Sequence, residues 1–111
     1  MAKYDEYLNY FKYDVIARAY QYAQEDYVQG LIREDADHFH AFVDGTQPQA
    51  YDVRINLARP HESQCTCEYA KLGNMCKHMA AVYFTAFPES MIEYENAMVS
   101  PNDEYDYYYD D

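Results

Sequence analysis

Every cysteine of the chain lies within one short stretch, as Cys65-Thr66-Cys67 and Cys76, and His78 follows two residues after the last. Thiolate sulfur and imidazole nitrogen in two tight pairs are what a divalent zinc ion takes in a tetrahedral site. Cysteines at i and i+2 of an extended segment point to the same side, so Cys65 and Cys67 can face one ion. Cys76 and His78 lead into an apolar run that reads as a helix. The free N–H groups of a first helical turn can hydrogen-bond thiolate sulfur and favour its charged form. Three thiolates with one zinc sum to −1, which Lys77 and Lys71 would offset. Four protein ligands leave no position for water or substrate, and a closed site of this kind is structural rather than catalytic.

Other assignments are weaker. An odd count of three cysteines opposes a disulfide framework. Reading the cysteines as free thiols and His78 as a surface histidine leaves their pairing unexplained. His61 stands at a poor separation from Cys65 for a fourth ligand. His38 and His40 alternate along one strand pattern and are expected on its exposed side. Glu62 and Glu68 read as loop charges. No nucleophile–base constellation or phosphate loop is present, so the chain is not expected to be an enzyme.

The elements that must hold this cluster follow from periodicity. Leu8, Phe11, Val15, Ala19 and Tyr22, with Ile16, Tyr20, Ala23 and Tyr27, recur at helical spacing and predict an N-terminal helix over about 4–28, with Gly30 suited to its end. Tyrosine at the border of such a stripe reads as core-and-rim packing. Three short strands are predicted at about 29–34, 37–43 and 50–57, the last two alternating as Phe39, Ala41, Val43 and Tyr51, Val53, Ile55, Leu57. The segment from Asp44 to Pro48 carries turn chemistry. Helices are predicted at about 77–87 and 89–98, with Pro88 at their junction. The fold class is therefore α+β: an N-terminal helix, a three-stranded antiparallel sheet, and a metal site leading into a C-terminal helix. The domain is expected to span 1–99, followed by an acidic, tyrosine-rich tail at 100–111.

The Cys-x-Cys…Cys-x-His spacing resembles the SWIM zinc finger, here over 51–87. Its context is also similar: the run Ile16 to Tyr20, the hairpin, the strand Tyr51 to Leu57, and then Cys76-Lys77-His78-Met79-Ala80-Ala81. The resemblance covers roughly 10–87. It implies zinc as the metal and a module that binds protein or DNA. Domains of this kind occur within helicase-like ATPases, Mutator-type transposases and recombination mediators. A partner of that kind, or the rest of a longer chain, is what the resemblance implies.

Charge and composition separate the functional classes. The net charge is −12. Residues 1–53 carry four basic and ten acidic side chains, residues 54–78 four and two, and residues 79–111 none and eight. The metal segment is thus the one basic island in an acidic chain, and Arg54, Arg59, Tyr69, Lys71 and Lys77 are its candidate binding residues. An acidic field repels phosphate backbones, which favours a protein partner. Nucleic-acid binding through the island, with Tyr69 stacking on a base, is the second reading, and an acidic nucleic-acid mimic built on the tail is the third. The tail could also fold back over the basic segment. No run of about 18 apolar residues is present, so no membrane span is expected. The N-terminus has no apolar signal region, which points to a reducing, cytoplasmic location.

Overall fold

The computed structural model describes residues 7–45 and 48–98. The elements run α1 (Tyr13–Gln24), β1 (Val28–Arg33), β2 (His38–Val43), β3 (Tyr51–Asn56), a 3-10 turn (Pro60–Glu62), β4 (Gln64–Cys65), α2 (Glu68–Lys71), α3 (Lys77–Ala86) and α4 (Pro88–Met98). The four strands form one antiparallel sheet in the order β1-β2-β3-β4. The α+β class read from the sequence holds, with four strands in place of three. The fourth is two residues long, too short for any alternation to announce it, and it pairs Cys65 with Val53.

Helix α3 is the centre of the packing. Met79 to Phe84 are all buried, on every side of the helix, and α3 touches all four strands as well as α1 and α4. A helix enclosed on all sides needs no polar face, which is why this segment has no amphipathic period. Its core partners are Phe39, Ala41 and Val43 of β2 and Val53 and Ile55 of β3. The small residues Ala19, Ala80 and Ala81 are fully buried, which suits the close approach of α1 to α3.

The N-terminal helix is shorter than the periodicity predicts, and the reason is tertiary. The chain turns at Tyr10 and Phe11, whose N–H groups donate to the carbonyls of Tyr7 and Leu8 at 3.1 Å each. Helix α1 starts afresh after an extended Lys12. This break turns Tyr7 inward, where its ring stacks on Tyr83 at 5.1 Å and its hydroxyl meets Ser63 Oγ at 2.9 Å. Phe11 packs edge-on against Tyr7 at 5.3 Å. Tyr7 and Leu8 are themselves helical and Phe11 lies in the bend after them, so two apolar rings at helical spacing are core residues on either side of a break.

The helix also ends earlier than Gly30. Asp26 takes the left-handed conformation at φ 62°, and the Tyr27 N–H reaches back to the Tyr22 carbonyl at 3.0 Å. That is the Schellman closure, with aspartate where glycine is commoner. Gly30 sits inside β1 at φ 64°, where the register against β2 shifts between Gln29 and Ile32. A glycine in the left-handed region is what such a bulge takes. Helices α3 and α4 fall within a residue of their predicted bounds. The proposed tail at 100–111 lies outside the described residues.

Candidate metal centre

The four expected ligands come from three elements. Cys65 lies on β4 opposite Val53, hence on the core face of the sheet. Cys67 caps the N-terminus of α2, where its sulfur accepts the Ala70 N–H at 3.4 Å. Cys76 caps α3, and His78 is the second residue of that helix. The two ligand pairs, Cys65 with Cys67 and Cys76 with His78, therefore frame a short helix, and the strand and α3 fix their ends.

The donor atoms of Cys65, Cys67, Cys76 and His78 all lie within 4.8 Å of one another. Cys65 Sγ and His78 Nδ1 are 3.6 Å apart. Tetrahedral zinc with sulfur at ~2.3 Å and nitrogen at ~2.0–2.1 Å gives a sulfur–nitrogen edge of about 3.6 Å. The cluster thus fits zinc in donor type and spacing. All four residues are buried and no disulfide joins the cysteines. Among the described residues no other group of histidine, cysteine and carboxylate side chains closes in this way.

The electrostatics favour one thiolate first. Hydrogen bonding from the Cys65 thiol, helped by His78 and the Met79 N–H, brings Cys76 down to about 4, against the cost of burial. The same bond, with burial, holds Cys65 well above the ordinary thiol range. Burial also raises Cys67, partly countered by the Ala70 N–H. A cation is required for all three sulfurs to be charged together, which is what a bound metal provides.

Tyrosines hold the imidazole. The Tyr51 ring lies 4.4 Å from that of His78 at 35°, and the Tyr22 ring 5.6 Å away at 68°. Lys77 Nζ stands 5.4 Å over the Tyr22 ring. Sequence reasoning placed Tyr22 in the apolar stripe of the N-terminal helix and Tyr51 in the alternation of a strand, neither beside the metal ligands. The signal for Tyr51 was available: strand alternation puts it on the same face as Val53, and so on the side of Cys65.

The five candidate binding residues lie on different elements. Tyr69 and Lys71 lie on α2 and Lys77 opens α3, all beside the cluster. Arg54 is on the opposite face of the sheet from Val53 and Ile55. It is within 3.7 Å of Glu34 and 3.9 Å of Asp52. Arg59 pairs with Glu62 at 3.5 Å. Arg18 of α1, which the sequence did not single out for binding, instead joins Tyr69 and Lys77 in lining a cleft of about 290 Å³ against Cys67 and Cys76. His38 is exposed on Asp35, and His40, mostly shielded, meets Asp52 Oδ1 at 2.8 Å. His61 packs edge-on against Tyr10. None of these three histidines belongs to the metal cluster.

The SWIM zinc finger family model matches residues 51–87, from the first residue of β3 to the residue after α3. The matched segment, about a third of the chain, contains the whole cluster, so this part of the chain is similar to a SWIM zinc finger, a kind of zinc-binding module often found in protein or nucleic-acid interactions. No curated protein and no solved structure matches the chain. Among the described residues no helix is long and apolar enough to cross a membrane.

Proposed function

We propose that this SWIM finger holds one zinc ion through Cys65, Cys67, Cys76 and His78 and serves as a non-catalytic module that docks a protein, in a nucleic-acid-processing setting. The observation that carries the reading is the closed donor set: four buried protein atoms within 4.8 Å. Such a set fills the tetrahedron of zinc, so the ion's work is to tie β4, α2 and α3 together. Structural zinc contributes on the order of 10–16 kcal/mol in small finger peptides, comparable to the ~5–15 kcal/mol net stability of a whole domain.

The charge placement supports a protein partner over nucleic acid. Arg54 and Arg59 are each matched by carboxylates. Two of the four cations of the basic segment are thus already paired, which weakens it as a track for a phosphate backbone. We place the module in residues 1–99, with residues 100–111 as an acidic appendage, and its thiol ligands suit a reducing, cytoplasmic compartment.

The test is a pull-down with zinc-loaded protein against a Cys67→Ser control, with zinc counted by native mass spectrometry. One zinc per wild-type chain and a partner retained only by the wild type are expected. Absence of bound zinc, or a partner held equally by the control, contradicts the reading. A gel shift that collapses steeply with salt would move the function to nucleic acid.

A further inference from the structure

The cleft beside the metal cluster runs between the N-terminal half of α1 and the loop entering α3. Asp14, Val15 and Arg18 of α1 line it together with Tyr69 and Lys77, and three of the four metal ligands complete the lining, so the cleft opens onto the metal centre itself. Among the described residues, three of the four arginines are engaged. Arg33 donates to the Asp35 carbonyl at 3.2 Å and lies over the Phe39 ring. Arg54 and Arg59 have the carboxylates given above. Arg18 makes no hydrogen bond or ion pair with any described residue, although Asp14 is one helical turn away. Its guanidinium offers five donors in a planar fork without an acceptor.

The rest of the cleft suits a protein segment. Lys77 Nζ stands over the Tyr22 ring, which favours that placement of its charge. Tyr69 is partly exposed at the rim. Tyr13 and Leu72, next in sequence to lining elements, are 92% and 79% exposed. Arginine and tyrosine around a concavity are the side chains that most often dominate protein docking. Arg18 and Lys77, with Asp14 also in the lining, are too few cations to track a run of phosphates, whereas one carboxylate needs only one fork.

We propose that this cleft is the docking notch of the module, and that Arg18 receives a glutamate or aspartate carboxylate of the partner while an adjoining apolar side chain packs on Tyr69 and Val15. The proposal rests on the protein-docking reading above and narrows it to one surface and one chemistry.

The probe is acetyl-leucyl-glutamyl-leucinamide, with its glutaminyl counterpart, titrated into the zinc-loaded, nitrogen-15-labelled full chain. Saturable shifts are expected at the amides of Val15, Arg18, Tyr69 and Lys77, with the glutaminyl peptide binding at least about tenfold more weakly. Arg18→Gln should erase that preference while zinc content and the remaining spectrum stay as in wild type. Arg18→Lys, which keeps the charge and loses the fork, should weaken the glutamyl peptide without disturbing the fold. Equal affinity for both peptides, a preference that survives Arg18→Gln, or no saturable shift at these amides overturns the proposal. So does a single-stranded oligonucleotide of about 12 nucleotides that shifts them when the peptide does not. A partner that needs Cys67 but binds Arg18→Gln as well as wild type overturns the cleft and leaves the zinc-dependent docking reading standing.

Discussion

Replacing Tyr51 tests whether the aromatic pair around His78 is part of the metal centre or only beside it. The two rings lie 4.4 Å apart, and His78 is only 5% exposed. Tyr51 therefore limits how the imidazole can turn, and Nδ1 must keep its place 3.6 Å from Cys65 Sγ. An aromatic pair contributes ~0.5–1.5 kcal/mol beyond the area it buries. If that energy is lost from the zinc-ready arrangement, the zinc dissociation constant rises about two- to twelvefold, at ~1.4 kcal/mol per factor of ten. Residues that orient metal ligands commonly move affinity by about 10–100-fold, so the upper end is the better expectation if Tyr51 also sets the ring's direction. The assay is competition with a chromophoric chelator at neutral pH, using Tyr51→Leu to keep apolar volume and Tyr51→Phe to keep the ring. Phenylalanine should bind zinc like wild type. The reasoning is refuted if leucine stays within twofold of wild type, or if phenylalanine loses as much as leucine.

Other perturbations probe the support around the site. A methyl group added at Gly45 would come within 2.5 Å of Tyr51 Cε2, so Gly45→Ala must displace that ring. It should weaken zinc in the same competition assay as Tyr51→Leu does. Phe84→Ala removes a fully buried ring that contacts Tyr20 and Tyr94 and should cost about 3–5 kcal/mol in urea unfolding of the zinc-loaded protein. The Asp35 hydrogen bond raises the pKa of His38 and lowers that of Asp35. The histidine's share of hairpin stability is full below its unfolded value of about 6.5 and is lost as pH rises through the raised folded value. The aspartate's share is present above about 3.9 and is lost as pH falls through its lowered value. Proton NMR titration should put His38 above the ordinary histidine midpoint, and Asp35→Asn should bring it back.

The parts of the fold that the sequence made legible are those in which local pattern and tertiary packing agree. Strands β2 and β3 alternate because one face meets α3, and their burial follows the alternation of Phe39, Ala41, Val43 and Val53, Ile55. The misread parts are those where a long-range contact overrides the local signal. Tyr7 and Phe11 continue a helical stripe in sequence, but the helix breaks between them, where Ser63 and Tyr83, distant along the chain, hold Tyr7 and Phe11 packs on its ring. Gly30 has the residue type of a helix stop, yet Asp26 stops the helix with one left-handed residue and Gly30 serves a bulge. Helix α2 is a single turn, and its strongest marker is Cys67 as the capping side chain, a role concealed by its use in the metal cluster.

The candidate site divides along the same line. Ligand identity is legible because it depends on residue type at fixed short spacing, within the reach of two or three residues. The cluster's surroundings are not, because they are assembled from α1 and β3: Tyr51 precedes His78 by 27 residues and Tyr22 precedes it by 56, so only the fold brings them together. Tyr22 and Arg18 share helix α1, yet Tyr22 faces His78 and Arg18 faces the cleft. Four residues apart on a helix means one turn and nearly one face, so a single side of α1 serves both the imidazole and the proposed ligand. Loss of zinc would release His78 and the start of α3, and with them the wall opposite Arg18. Partner binding and metal binding are then coupled through α1 without any contact between ligand and ion. Hence the zinc affinity of the Arg18→Gln protein should match wild type, while peptide binding by the Cys67→Ser protein should fail.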